Sequence, residues 1–266
     1  MQIARLKTVD LHWSEDGDPD GIAVVFANSL GTDLRLWDKV IPLLPQKGLR
    51  LIRFDKRGHG LSSCPSSPYT IDALTDDTEQ LLDRLRVRTC IFVGLSIGGI
   101  IAQLLASRRP ELVKGLVLSN TAAKLGTADM WQERIDRIRK DGIEAMADAI
   151  LERWFGEEFR RSDEAVAWRN MLTRTPVEGY IGCSEAIAAN DLTASTSKLK
   201  LPVLGIGGEH DLASPPDLVR ATTDLIDGSR YVEIGNAGHL PCVEQPDIYA
   251  GHLVRFFKED LNVGAI

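Results

Sequence analysis

The chain has 266 residues, 44% of them hydrophobic and 26% charged, so a single folded body would bury roughly three quarters of its surface without needing staples. Thirty-one basic against 38 acidic residues leave a net charge of −7. With no basic stripe this excludes an ordinary nucleic-acid binder, and any anionic ligand would have to be held by local cations. No stretch approaches ~18 uninterrupted apolar residues, so no membrane span is expected. Residues 1–30 lack the charged start, apolar run and small-residue cleavage site of a secretory leader. Cys64, Cys90, Cys183 and Cys242 form no C-x-x-C pair, so neither a zinc site nor a disulfide framework is signalled. The expectation is a soluble, reduced, cytoplasmic protein, a monomer or a small homo-oligomer.

Two alternating segments, Ile3–Thr8 and Leu11–Glu15, precede the turn signal Asp16-Gly17-Asp18-Pro19. Ile22–Ala27 is then a continuous apolar run, and Leu49–Phe54, Cys90–Val93, Leu116–Leu118 and Val203–Ile206 resemble it. Short runs without polar alternation suit strands covered on both faces of a parallel sheet. Amphipathic stretches of helical length lie between them: Leu36–Gln46, Ile71–Leu85 and Ile100–Arg108. From about residue 121 to 197 the pattern changes to helices alone, Trp131–Lys140, Ile143–Trp154, Glu164–Leu172 and Gly179–Ala189. Alternation resumes through Val203–Ile206, Asp217–Ile226, Tyr231–Ile234 and Ile248–Lys258. This order predicts an α/β core, residues 1–120 and 198–266, with a mostly parallel eight-stranded sheet flanked by helices. Residues 121–197 would form an inserted helical cap over the strand ends.

Gly94-Leu95-Ser96-Ile97-Gly98 follows a predicted strand and opens a predicted helix. G-x-S-x-G in that context places the serine on a sharp strand-to-helix turn, where flanking glycines remove the clash. A serine hydroxyl is a weak nucleophile and needs a base, which in turn needs an orienting acid. Of five histidines, His239 lies on the glycine-flanked loop Asn236–Pro241 after the last strand and is the candidate base, with His210 its rival. Asp211 lies just past the Val203–Ile206 strand and is the candidate acid, with Glu209 its rival. The order Ser96, Asp211, His239 matches the chain order of α/β-hydrolase triads. Two donors must face the developing oxyanion. The backbone N–H groups of Ile97, after the nucleophile, and of Leu30, in the loop Asn28–Gly31, are the candidates. Competing motifs fail: Gly205-Ile206-Gly207 meets His210 where a dinucleotide fingerprint needs glycine, and neither a phosphate loop nor a histidine pair at i, i+4 is present. No metal or cofactor is required.

Together these segments resemble the α/β-hydrolase fold over nearly the whole chain, including Asp55-Lys56-Arg57-Gly58-His59-Gly60-Leu61-Ser62, a turn found after the fourth strand of many members. Three longer runs, Asn28–Trp37, Thr175–Cys183 and Ala237–Pro246, resemble bacterial 3-oxoadipate enol-lactonases. Many other relatives place His-Gly where this chain has Asn28-Ser29. The resemblance implies hydrolysis of 3-oxoadipate enol-lactone to 3-oxoadipate in aromatic-acid catabolism, through an acyl-serine intermediate. It implies a small anionic lactone substrate whose free carboxylate needs a cation in an apolar pocket. Arg134 and Lys124 are the candidate cations, with Trp131 and Trp154 as pocket walls; a solvated helix face and cap core are the plainer readings of the same residues. The alternatives are another carboxylic-ester or carbon–carbon bond hydrolase of this fold, or a receptor that turns over slowly. A dehalogenase is disfavoured, because the elbow carries serine where that chemistry uses aspartate.

Overall fold

Eight strands form one sheet in the computed structural model, which describes residues 1–264. They are β1 (Gln2–Arg5), β2 (Asp10–Gly17), β3 (Ile22–Ala27), β4 (Leu49–Phe54), β5 (Cys90–Leu95), β6 (Val113–Ser119), β7 (Val203–Gly208) and β8 (Arg230–Ile234). Their spatial order is β1-β2-β4-β3-β5-β6-β7-β8; β1 and β2 pair antiparallel, and the other six strands run parallel. The apolar runs are explained by burial on both faces: every residue of β5 and of β7 is buried. Along β3, Val24 and Phe26 join one hydrophobic cluster, while Ala23, Val25 and Ala27 join a second on the opposite face.

The core helices are α1 (Ile71–Arg84) and α2 (Ile97–Arg108). Six helices and no strand lie between β6 and β7 among the described residues: α3 (Ala128–Asp141), α4 (Ala147–Trp154), α5 (Glu157–Arg160), α6 (Asp163–Thr173), α7 (Val177–Ala188) and α8 (Thr193–Thr196). Local chemistry starts several of them: Thr127 caps α3 by accepting from the Met130 N–H, and Ser162 caps α6 by accepting from the Ala165 N–H. Trp131, Trp154 and Trp168 from this insert share one apolar cluster with Val24 and Phe26 of the sheet, so insert and core fold around common contacts. Past β7 come α9 (Pro216–Thr223), α10 (Pro241–Glu244) and α11 (Pro246–Glu259). No helix among the described residues is long and apolar enough to cross a membrane.

The structure corrects several boundaries. The stretch Leu36–Gln46 is not one helix but two 3-10 turns, Leu34–Trp37 and Ile41–Leu43. Pro42 and Pro45 have no N–H to donate, and Leu44, before Pro45, is extended at ψ 152. The first hairpin turns at Leu6–Val9, where the Leu6 N–H meets the Val9 carbonyl, rather than after Thr8. Asp16 and Gly17, expected in a turn, pair with Leu51 and Arg50 and extend β2. Helix α2 starts at Ile97 instead of Ile100, because the Gly99 and Ile100 N–H groups both donate to the Ser96 carbonyl.

Candidate active site

The carboxyl ends of β3, β5, β7 and β8 converge beneath the inserted helices, which is where open parallel sheets hold their ligands. At the end of β5 the chain turns sharply into α2, and Ser96 sits at the turn with φ 57 and ψ −120, left-handed backbone that a non-glycine residue seldom adopts. Its neighbours explain the motif. A Cβ on Gly94 would lie 2.3 Å from the Gly98 carbonyl oxygen, and one on Gly98 would lie 2.2 Å from that of Ala27. Both glycines are therefore needed for α2 to pack against the strand ends. The strained residue is also pinned from β6: its N–H donates to the Ser119 carbonyl at 3.0 Å, and Thr121 Oγ1 donates to its carbonyl at 2.7 Å.

Asp211 and His239 come from the loops after β7 and β8. His239 Nδ1 donates to Asp211 Oδ2 at 2.9 Å, with both side chains almost wholly buried. Oδ1 of the same carboxylate accepts from the backbone N–H groups of Ala213 (2.7 Å) and Ser214 (3.0 Å), and Oδ2 accepts from Asn120 Nδ2 (2.9 Å). Burial by itself would raise the Asp211 pKa. The opposing charge of the His239 ring and the hydrogen bonds from His239, Asn120 and Ser214 outweigh it and hold the carboxyl below its ordinary value. Ser214 Oγ lies 2.6 Å from the Asn120 carbonyl, 2.9 Å from Asp211 Oδ2 and 3.2 Å from His239 Nδ1. Its single proton satisfies one of those oxygens, while its lone pair is open to Nδ1–H.

With Nδ1 protonated, Nε2 of a neutral ring is an acceptor. It takes a hydrogen bond from Ser29 Oγ at 3.3 Å, in the loop after β3. Ser96 and His239 line the same cavity, and among the described residues Nε2 is occupied by Ser29 rather than by the Ser96 hydroxyl. The His239 backbone is fixed from the insert, its N–H donating to the Trp154 carbonyl at 2.7 Å. Glu244 ties the same two pieces together by accepting from Gly238 N–H (2.6 Å) and Gly156 N–H (2.9 Å). The two amides that could receive an oxyanion, Leu30 and Ile97, have no protein acceptor among the described residues.

The cavity has a volume of about 470 Å³. Ser29, Leu30, Ser96, Ser214 and His239 form its floor; Trp131, Arg134 and Arg137 of α3, Arg153 and Trp154 of α4, and Tyr180 of α7 form its roof and walls. Arg134, Arg137 and Arg153 have no ion-pair partner among the described residues, and Arg153 Nε is buried without any hydrogen-bond acceptor. Burial, then the neighbouring Arg134 charge, lowers the Arg153 pKa. Three guanidinium groups without an ion-pair partner thus border one hollow, together with the carboxylate of Glu133.

A family model described as the alpha/beta hydrolase fold matches residues 22–246. The chain belongs to the alpha/beta hydrolase family. It is 34% identical to "3-oxoadipate enol-lactonase 2" of Acinetobacter baylyi (strain ATCC 33305 / BD413 / ADP1), over 96% of this chain and 95% of the relative. The solved enol-lactonase from Burkholderia xenovorans LB400 is 37% identical and superposes with a TM-score of 0.93, over 97% of this chain and all of that one. A thermophilic esterase from Thermogutta terrifontis, solved with malate bound, is 26% identical with a TM-score of 0.91 and full coverage of both chains. The resemblance to enol-lactonases carried by Asn28–Trp37, Thr175–Cys183 and Ala237–Pro246 agrees with these relatives, and the protein is a carboxylic ester hydrolase.

The hydrolase brings some of the expected residues together and not others. Asp211 contacts His239, and Ser96, Leu30, Trp131, Trp154 and Arg134 all line the cavity with His239. Ile97 is fully buried at the first turn of α2 and does not line the cavity. Arg134 lies with its guanidinium 5.1 Å from the Trp131 ring centroid, and the Trp131 indole donates to the Leu125 carbonyl at 2.7 Å, which fixes that wall. Lys124 is a correction. Its side chain is exposed and paired with Asp191 at 3.1 Å, away from the cavity, because the chain after β6 turns that side chain outward to solvent. The rivals separate as well. His210 is exposed in a different groove, and Glu209 accepts from the Asn236 N–H as a turn carboxylate. Sequence reasoning missed Ser29, Asn120, Ser214 and Arg153. Asn120 carried one readable signal, its place just past the β6 strand end, where it adopts φ 46 and reaches Asp211.

Proposed function

We propose that this protein is a serine hydrolase that opens 3-oxoadipate enol-lactone with water to give 3-oxoadipate. The observation that carries the reading is the joining, in one cavity, of Ser96 on its strained turn and three unpaired arginines above it. The first is suited to attack an ester carbonyl and the second to hold a carboxylate on the same small molecule. The relatives that carry the enol-lactonase name support the substrate class.

His239 Nε2 takes the Ser96 proton as the hydroxyl oxygen attacks the lactone carbonyl, after a small ring movement away from Ser29. Asp211 stabilises the imidazolium through Nδ1. The Leu30 and Ile97 N–H groups take the oxyanion, at the N-terminus of α2 where negative charge is favoured. Collapse expels an enolate oxygen that His239 protonates, and the enol tautomerises to a ketone, which removes the leaving group as a competing nucleophile. Water activated by His239 then hydrolyses the acyl-serine. Arg153 and Arg134 hold the substrate's free carboxylate, so the guanidinium that sequence reasoning missed joins the one it named.

The test offers purified protein enol-lactone, p-nitrophenyl acetate and a ring-cleavage dienoate, with Ser96→Ala in parallel. Preference for the enol-lactone, abolished by Ser96→Ala, is the expected result. Preference for the acetate ester would overturn the substrate and leave a general esterase; turnover of the dienoate would point to a carbon–carbon bond hydrolase. Stoichiometric binding of all three without turnover would make the protein a receptor.

A further inference from the structure

Lys56 follows β4 in the turn Asp55–Gly60 and is 4% exposed. A buried ammonium is costly unless something compensates it, and among the described residues no carboxylate pairs with it directly. Asp55 is engaged by His12 Nδ1 and by the Leu34 and Leu61 N–H groups, and Asp33 by Arg35. Lys56 Nζ donates instead to two backbone carbonyls, Ser29 at 2.6 Å and Thr32 at 3.2 Å. Both belong to the loop after β3 that supplies Leu30. The same turn holds that loop a second time, because His59 Nε2 accepts from the Gly31 N–H at 3.0 Å.

The Ser29 carbonyl and the Leu30 N–H are the two ends of one peptide group. A cation bonded to the oxygen draws electron density from the amide and makes its N–H a stronger donor, since hydrogen bonds in a chain polarise one another. We propose that Lys56 is a positioning residue that aims and strengthens the Leu30 N–H as an oxyanion donor through the Ser29–Leu30 peptide. This rests on the reading of Ser96 as nucleophile and Leu30 as oxyanion donor.

The groups facing Lys56 set its proton equilibrium. Burial lowers its pKa to about 8, against the weaker upward pull of Asp55 on its own turn and Asp33 from the loop after β3. Cys183 from α7 is pushed up to about 12 by burial and stays a thiol, and His59, held far below its usual range by burial and by Lys56, stays neutral. The ammonium is thus present at neutral pH and lost as the pH rises through about 8.

The experiment compares wild type, Lys56→Met and Lys56→Gln by kcat and KM on p-nitrophenyl acetate. It also measures affinity for phenylboronic acid, which adds to a reactive serine with an oxygen in the oxyanion position, and for succinate, a carboxylate that needs no such donor. Lys56→Met should lower kcat and boronate affinity by about ten-fold each, with KM and succinate affinity unchanged; Lys56→Gln, which keeps a neutral donor, should fall between. Wild-type kcat should decline above pH 8, and the Lys56→Gln profile should lack that limb. Unchanged kcat and boronate affinity in both variants, or an equal loss of succinate binding, would overturn the proposal. If Lys56→Met does not fold, Lys56→Gln and the wild-type alkaline limb decide. A wild type that hydrolyses the acetate but not the enol-lactone would overturn the substrate alone and leave this test intact. A wild type that forms no boronate adduct would overturn the serine reading and Lys56's role with it.

Discussion

The floor and the roof of the cavity are built on opposite terms. On the floor, the polar side chains other than Ser96 have partners inside the protein: Asp211 accepts from His239, Asn120, Ala213 and Ser214, and His239 is held at Nδ1, Nε2 and its backbone N–H. On the roof, Arg134, Arg137 and Arg153 have no carboxylate partner among the described residues, and one nitrogen of Arg153 is buried with no acceptor at all. The contrast separates two tasks. On the proposed function, groups that move a proton gain from being aligned beforehand: Asp211 fixes the His239 ring through Nδ1, and only Nε2 has to exchange Ser29 for Ser96. Groups that recognise a charge hold more discrimination when only the correct ligand satisfies them.

This contrast can be broken or sharpened by substitution. On the floor, Ser96→Ala should lower kcat on any ester by about 10⁴-fold or more with little change in KM, measured by steady-state kinetics. Asp211→Asn should lower kcat by about 10⁴-fold, because an amide both loses the charge facing the imidazolium and favours the wrong ring tautomer. On the roof, Arg153→Met should raise KM for the carboxylate-bearing lactone by about ten-fold to a hundred-fold, leaving its methyl ester within about two-fold. Equal effects on acid and ester would erase the distinction between roof and floor.

The lowered pKa of Asp211 gives a smaller, pH-dependent effect. A carboxyl whose folded pKa lies below its unfolded value of 3.8 contributes stability above that value and loses it as pH falls through the folded pKa. The difference in unfolding free energy between wild type and Asp211→Asn should therefore be constant above about pH 5 and shrink below about pH 4, measured by urea titration. Smallest of all is Lys124→Ala. Its exposed pair with Asp191 should leave the urea midpoint essentially unmoved, and KM for the lactone should not change.

Legibility in the sequence followed the range of the forces involved. The parallel strands were readable because burial on both faces leaves a continuous apolar run, as in β5 and β7. Ser96 was readable because its turn demands glycine at 94 and 98, a steric rule that acts within a few residues. The stretch Leu36–Gln46 misled because its apolar spacing suited a helix, while Pro42 and Pro45 withheld the hydrogen bonds that would continue one. Ser29, Ser214 and Arg153 gave no local sign. Ser29 is 210 residues from the His239 ring it touches, and a serine or arginine in a loop or on a helix looks the same whether it faces water or a cavity.

What the chain decided by itself was short-ranged: which apolar runs become strands, where the backbone must turn at Ser96, and which residue types stand at the strand ends. What the tertiary structure alone decided was direction. It turned Arg153 and Arg134 inward while Lys124 turned out to Asp191, and it set Lys56 against the carbonyl of Ser29. Residue type fixes what a side chain can do within its own neighbourhood. Which charge it meets depends on the surfaces that packing brings opposite it, and those come from segments between 27 and 210 residues apart.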